Sequence, residues 1–118
     1  MAGYGLFIGF GFPVRGREQK ASQVFNEFVA YLTGLQKDGT IESWEPFFLE
    51  PHGGDLGGFF VVRGERDSIA RVRTSDEMER LTTRAQLIVE NFGVVGAQTG
   101  ERIGAQMELF LQSAGELA

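Results

Sequence analysis

The chain has no cysteine among its 118 residues, which excludes disulfides, thiolate metal sites and a cysteine nucleophile. That absence fits a reducing, cytoplasmic setting. Histidine occurs once, at position 52, so a zinc set built on several histidines is excluded too. No apolar run approaches the ~18 residues of a membrane span. The N-terminus lacks the basic region and small-residue cleavage pattern of a signal peptide, and glycines interrupt it before Pro13-Val14-Arg15. Positive charge is scarce: eleven Lys and Arg stand against sixteen Asp and Glu, for a net charge of −5. Without a basic cluster, nucleic acid is not an expected partner. Gly9-Phe10-Gly11 does not complete the G-x-G-x-x-G turn of a dinucleotide site. No G-x-S-x-G nucleophile elbow occurs either.

What the chain does have is phenylalanine and glycine, 11 and 17 residues, beside only two tyrosines and one tryptophan. Phenylalanine in that excess implies dry, buried aromatic surface with no hydroxyl to satisfy. The two residue types meet in the stretch 3–14, GYGLFIGFGFPV. Its even positions are Tyr4, Leu6, Ile8, Phe10, Phe12 and Val14, and its odd positions are glycine apart from Phe7 and Pro13. This period of two predicts a strand, and the glycines predict that a backbone or ligand comes close to its second face.

From Arg17 to Lys37 the period becomes helical, with Ala21, Val24, Phe25, Phe28, Leu32 and Leu35 on one stripe and Asp38-Gly39 closing the helix. A second strand is expected over 41–51, on an edge or at a bulge because of Pro46. His52-Gly53-Gly54-Asp55 forms a hairpin turn, and Gly57–Arg63 a third strand with both faces apolar. A short helical turn over 66–72 precedes a helix capped by Ser75, with Asp76 and Glu77 in its first turn. That helix is expected to bury Met78, Leu81, Ala85, Ile88 and Phe92 and to end at Gly93. A fourth strand over 94–99 and an amphipathic helix carrying Ile103, Met107, Phe110, Leu111 and Ala114 complete the chain.

The order β-α-β-β-α-β plus a C-terminal helix predicts one α+β domain over 1–118, ferredoxin-like, with helices on one face of an antiparallel sheet. The other face reads as apolar or bare, so it needs a cover. A two-fold copy of the same face is the simplest one, which gives a homodimer, a dimeric α+β barrel.

The Phe-rich helix ending in Asp38-Gly39, the strand reaching Leu49-Glu50-Pro51 and the segment Leu56-Gly57-Gly58-Phe59-Phe60-Val61-Val62 together resemble the dimeric α+β barrel superfamily, most closely its YCII-related and small uncharacterised members. The resemblance runs from about Val24 to Val62. It implies a dimer and leaves the activity open between cofactor-free monooxygenases, lactone isomerases, haem-degrading enzymes and members without demonstrated activity. YCII-related proteins carry an Asp-Gly-Pro-Phe segment, and some carry a first-strand histidine proposed for catalysis. Here the hairpin reads Pro51-His52-Gly53-Gly54-Asp55, and Tyr4 is the one polar side chain of the first strand.

Candidate chemistry centres on His52, because histidine is the side-chain type suited to proton transfer at neutral pH. As a general base it would be oriented by a carboxylate such as Asp55; otherwise it is a polar residue of an exposed turn. Glu50, His52 and Asp55 make a poor zinc set, and neither metal nor cofactor is expected. Glu42, Glu45 and Glu50 read as a solvated edge, and Arg73, Glu77, Arg80 and Arg84 as an exposed ion-paired stripe. Tyr4, Phe7, Trp44 and Phe48 are the candidate pocket aromatics, Phe7 standing among glycines in space that suits a flat apolar ligand. Two functions follow: a small protein binding an apolar molecule in a barrel or sheet–helix cavity, and a cofactor-independent monooxygenase- or isomerase-like enzyme with His52 as base.

Overall fold

The computed structural model describes residues 3–118. Eight elements follow in order: β1 (Tyr4–Phe10), α1 (Glu18–Lys37), β2 (Ser43–Phe48), β3 (Gly58–Gly64), α2 (Arg66–Arg73), α3 (Asp76–Gln86), β4 (Gly93–Gln98) and α4 (Glu101–Glu116). The strands form one antiparallel sheet in the order β2-β3-β1-β4. This is the ferredoxin-like arrangement with an added C-terminal helix.

The alternation in β1 sorts the two faces. Leu6 and Ile8 point to the helices and are fully buried, as are Phe60 and Val62 of β3. They pack with Ala21, Val24, Phe28 and Leu32 of α1, Ile69 and Val72 of α2, and Met78, Leu81 and Ala85 of α3. Ser75 caps α3 by accepting the Met78 amide at 3.2 Å, satisfying one donor that the first turn leaves unpaired. The C-terminus of α1 closes with Gly39 N–H bonded to Gln36 O and Thr40 N–H to Leu35 O, the paired bonds of a Schellman motif. The Glu27 carboxylate then ties α1 to α3 by accepting two bonds from Arg84, at 2.9 and 2.8 Å.

The opposite face of the sheet is uncovered in the protomer. Phe7 tips over Gly9 to stack on Phe59, with ring centroids 4.8 Å apart, and Phe59 stacks on Phe47 at 4.7 Å. Gly9 is required here, because a Cβ would lie 2.7 Å from the Phe7 ring. Val61 and Val95 extend this patch, whereas Ser43, Glu45 and Arg63 end it with polar groups along β2 and β3. Phe47 and Val95 remain 37% and 54% exposed.

Several boundaries differ from the sequence pattern. Strand β1 stops at Phe10, four residues early, because Gly11 N–H turns to Glu90 O and Phe12 O accepts from Glu90 N–H. The helix expected to reach Gly93 ends at Gln86; residues 88–92 run alongside 11–14, with a Pro13–Val89 bridge and Asn91 at φ 53°. The short turn over 66–72 is a full two-turn helix. Arg73 therefore belongs to α2 and leaves the stripe assigned to it, and Arg84 pairs with Glu27 rather than with its own helix.

Helix α4 buries no side chain. Ile103, Met107, Phe110 and Leu111 are each more than half exposed. The radius of gyration is 16.3 Å, against roughly 13.5 Å for a compact chain of this length, so α4 stands off the body. No helix among the described residues is long and apolar enough to cross a membrane.

Candidate functional site

At the end of the sheet where β1 leaves, a cavity of about 350 Å³ opens between the sheet and α1. Seven phenylalanines line it, Phe12 at its mouth and a further six from five places in the chain: Phe10, Phe25, Phe28, Phe48, Phe60 and Phe92. The rings of these six form a connected set. Phe25 lies 5.1 Å from both Phe48 and Phe60, Phe10 lies 6.0–6.3 Å from Phe25, Phe48 and Phe60, and Phe28 bridges Phe60 at 5.7 Å and Phe92 at 6.1 Å. Offset and edge-to-face contacts at such separations are each worth about 0.5–1.5 kcal/mol beyond burial. The rings therefore hold one another in place with the space between them open.

The space has a local cause. Ala21 of α1 and Ala85 of α3 both line the cavity, small side chains where larger ones would narrow it. The segment 88–92 supplies Ile88, Val89 and Phe92 because it has left the helix. Of the lining side chains only Glu18 and Ser22 are polar, and both are exposed at the mouth, as are Phe12 and Phe48. An apolar interior with few polar groups at its entrance describes a small-molecule site near the lower end of the usual size range, ~300–1,000 Å³.

The four candidate pocket aromatics lie in four different places. Phe48 lines this cavity. Trp44 faces the helices from β2 and packs on Phe60 at 6.1 Å without lining it. Phe7 is on the uncovered face, and Tyr4 is at the far end of β1 beside Arg66 and Arg102. Sequence reasoning missed the other five rings because each sits at a core position of its own element. What was visible was the phenylalanine excess.

His52 is exposed, and both ring nitrogens are engaged within its own turn. Nδ1 accepts the Gly54 N–H at 3.2 Å, which leaves Nε2 protonated to donate to Leu56 O at 2.8 Å. No hydrogen bond or ion pair joins it to Asp55 or Glu50 among the described residues. The turn adjoins the cavity through Gly57, whose N–H bonds Phe10 O at 2.8 Å. Glu27 is the carboxylate whose affinity for protons is most plainly reduced among groups tied to another helix: the hydrogen bonds from Arg84 hold it below the usual glutamate value. It lies outside the cavity.

No family model matches the chain, and no curated protein matches it at a significant level. Solved structures do match in fold. A hypothetical protein of Arabidopsis thaliana shares 10% identity with a TM-score of 0.63, over 86% of this chain and 91% of that one. A dimeric ferredoxin-like protein from Bacteroides fragilis shares 13% identity with a TM-score of 0.57, over 80% and 95%. A candidate antibiotic biosynthesis monooxygenase from Chloroflexus aurantiacus shares 11% identity with a TM-score of 0.52, over 82% and 92%. At these identities the likeness is one of fold: the chain is an α+β protein of ferredoxin-like architecture, a fold that dimeric proteins and candidate monooxygenases share with it.

Proposed function

We propose that this protein is a homodimer that binds a flat, apolar small molecule in the phenylalanine-walled cavity of each protomer. The observation that carries the reading is the set of six rings around one open space, with polar side chains only at its mouth. The dimer is proposed through the uncovered sheet face, where Phe47, Phe59, Phe7, Val61 and Val95 await a cover. The exposed apolar side chains of α4 beyond Ile103, namely Met107, Phe110 and Leu111, are a second surface for the same partner, since none is buried in its own protomer. Two-fold pairing would bury both surfaces twice over. The fold likeness to a protein described as dimeric supports this. Membership among the YCII-related proteins rests on the segments around Leu49 and Leu56, and a cytoplasmic location on the absence of cysteine.

The test is titration of the protein with 2-naphthol by calorimetry, in the wild type and in Ser22→Trp. Ser22 is exposed at the cavity mouth, so an indole there closes the entrance without repacking the core. The expected result is one naphthol per chain in the wild type and at least a tenfold loss of affinity in the variant, with thermal unfolding unchanged. Equal binding by the two proteins overturns the assignment.

The cofactor-independent enzyme, monooxygenase- or isomerase-like, is the second reading. It is favoured by the contact of the His52 turn with the cavity wall through Leu56 and Gly57. There His52 would act as base, with Asp55 beside it, once its ring left the two bonds it now makes.

A further inference from the structure

A second concavity, of about 560 Å³, lies between α2 and α4 over the β1–β4 half of the sheet. It shares no lining residue with the phenylalanine-walled cavity. Three guanidinium groups gather around it. Arg66 and Arg73, at the two ends of α2, line it directly. Arg102 of α4 stands behind Tyr4, whose ring holds the Arg102 Cζ at 5.4 Å and the Arg66 Cζ at 5.8 Å from its centroid.

This gathering of charge is uncompensated. The chain has more acidic than basic residues, yet no ion pair involves Arg66, Arg73 or Arg102 among the described residues. One aromatic ring attracts both cations through its face, but it does nothing to neutralise the repulsion between them. Arg102 Nε is buried with no hydrogen-bond partner, a donor whose isolation is unfavourable. The Tyr4 hydroxyl also has no partner among the described residues. Arg73 lies flat along β4, donating to Val94 O at 3.3 Å. Residue 96 beneath it is glycine, and a Cβ there would stand 3.1 Å from Arg73 Nη1, so the guanidinium is close against the strand. Between the cations Ile69 and Ala70 on α2 and Ile103 on α4 make the walls partly apolar, beside Gln98 and Gln106, where the Gln98 amide donates to the Gln106 carbonyl at 3.2 Å.

We propose that this groove binds an organic anion, a carboxylate or phosphate carried on an apolar body. Its head is met by Arg66, Arg73 and the Tyr4 hydroxyl, and Arg102 raises the positive potential from behind the ring. Its body lies against Ile69, Ala70 and Ile103. Guanidinium groups suit such a head because they offer paired donors to two oxygens at once. The site is distinct from the cavity, and it stands or falls separately.

The experiment titrates the full chain with decyl phosphate, decanoate, decylammonium and inorganic phosphate by calorimetry, the amphiphiles kept below micelle formation. At least one of the two amphipathic anions is expected to bind once per chain, and the tighter of the two identifies the head group. Binding should weaken as salt is added and fall about tenfold or more in Arg66→Ala and in Arg73→Ala. Arg66→Lys and Arg73→Lys, which keep the charge and the fold, should recover part of the loss. The 2-naphthol titration serves as control and should not change in these variants. Equal binding of decylammonium, unchanged affinity in both alanine variants, or no binding of either amphipathic anion overturns the proposal. Inorganic phosphate binding as tightly as decyl phosphate overturns the apolar part of it.

Discussion

Replacing Phe47 by alanine should weaken the proposed dimer at least a hundredfold. Phe47 sits on the edge strand β2, at the outer end of the ring stack that continues through Phe59 to Phe7. In the protomer 37% of its surface is still exposed, which for an aromatic side chain of ~200 Å² leaves about 75 Å² to be covered by a partner. A two-fold axis doubles the change to about 150 Å². At ~25 cal/mol per Å² this is about 4 kcal/mol, or roughly a thousandfold in the dissociation constant. Costs of ordering side chains at the interface reduce the net figure, hence the lower bound of about a hundredfold. Sedimentation equilibrium over a dilution series measures it. Thermal unfolding of the variant at low concentration measures the protomer separately, where the loss of ring burial costs about 3 kcal/mol and the Phe47–Phe59 stack about 1 kcal/mol more. A wild type that stays monomeric at the highest attainable concentration refutes the reasoning, as does a variant that associates like the wild type.

Two further outcomes are expected. Glu27→Gln should lower thermal stability at neutral pH by removing the paired bonds to Arg84. The folded-state pKa of Glu27 is depressed below 4.5, so the carboxylate's contribution is complete above that value and lost as pH falls through the lower folded one. The two proteins should therefore converge in melting temperature in strong acid, and a gap that widens on acidification contradicts the ion pair. His52→Ala should leave 2-naphthol affinity unchanged and loosen only the turn, at about 0.5–1.5 kcal/mol per lost hydrogen bond. If an activity is found, its survival in this variant ends the reading of His52 as a base.

The architecture was legible in the sequence wherever one residue type had one job. The even-numbered apolar side chains of β1, the Ser75 cap and the Asp38-Gly39 stop all rest on local chemistry, and the order of elements then leads to the ferredoxin-like fold. Pro46 correctly marked an edge strand for the same reason. The end of α3 was not legible. Ile88 and Phe92 continue its spacing, but a bridge between Pro13 and Val89 competes for the backbone, and that partner is more than seventy positions away. The cavity was hidden likewise, because whether Phe10, Phe25 and Phe92 fill a core or wall a space depends on Ala21 and Ala85, which no single helix pattern reveals. The Arg66–Tyr4–Arg102 gathering joins three elements and leaves no mark in any of them.

The place of β1 between β3 and β4 also bears on how the chain is made. Tyr4 pairs with Gly64 on one side and with Gln98 on the other, so β1 is completed only by a strand about ninety positions later. At ~5–20 residues per second, roughly 5–20 s separate the emergence of β1 from that of β4. Until β3 emerges Leu6, Ile8 and Phe10 form an unpaired apolar ribbon, and until β4 emerges one edge of β1 stays open. Pairings this far apart in sequence also slow folding once synthesis is complete. The strand around which the sheet is built is therefore the segment most exposed to aggregation on the ribosome, and a chaperone meeting the nascent chain would find its binding site there.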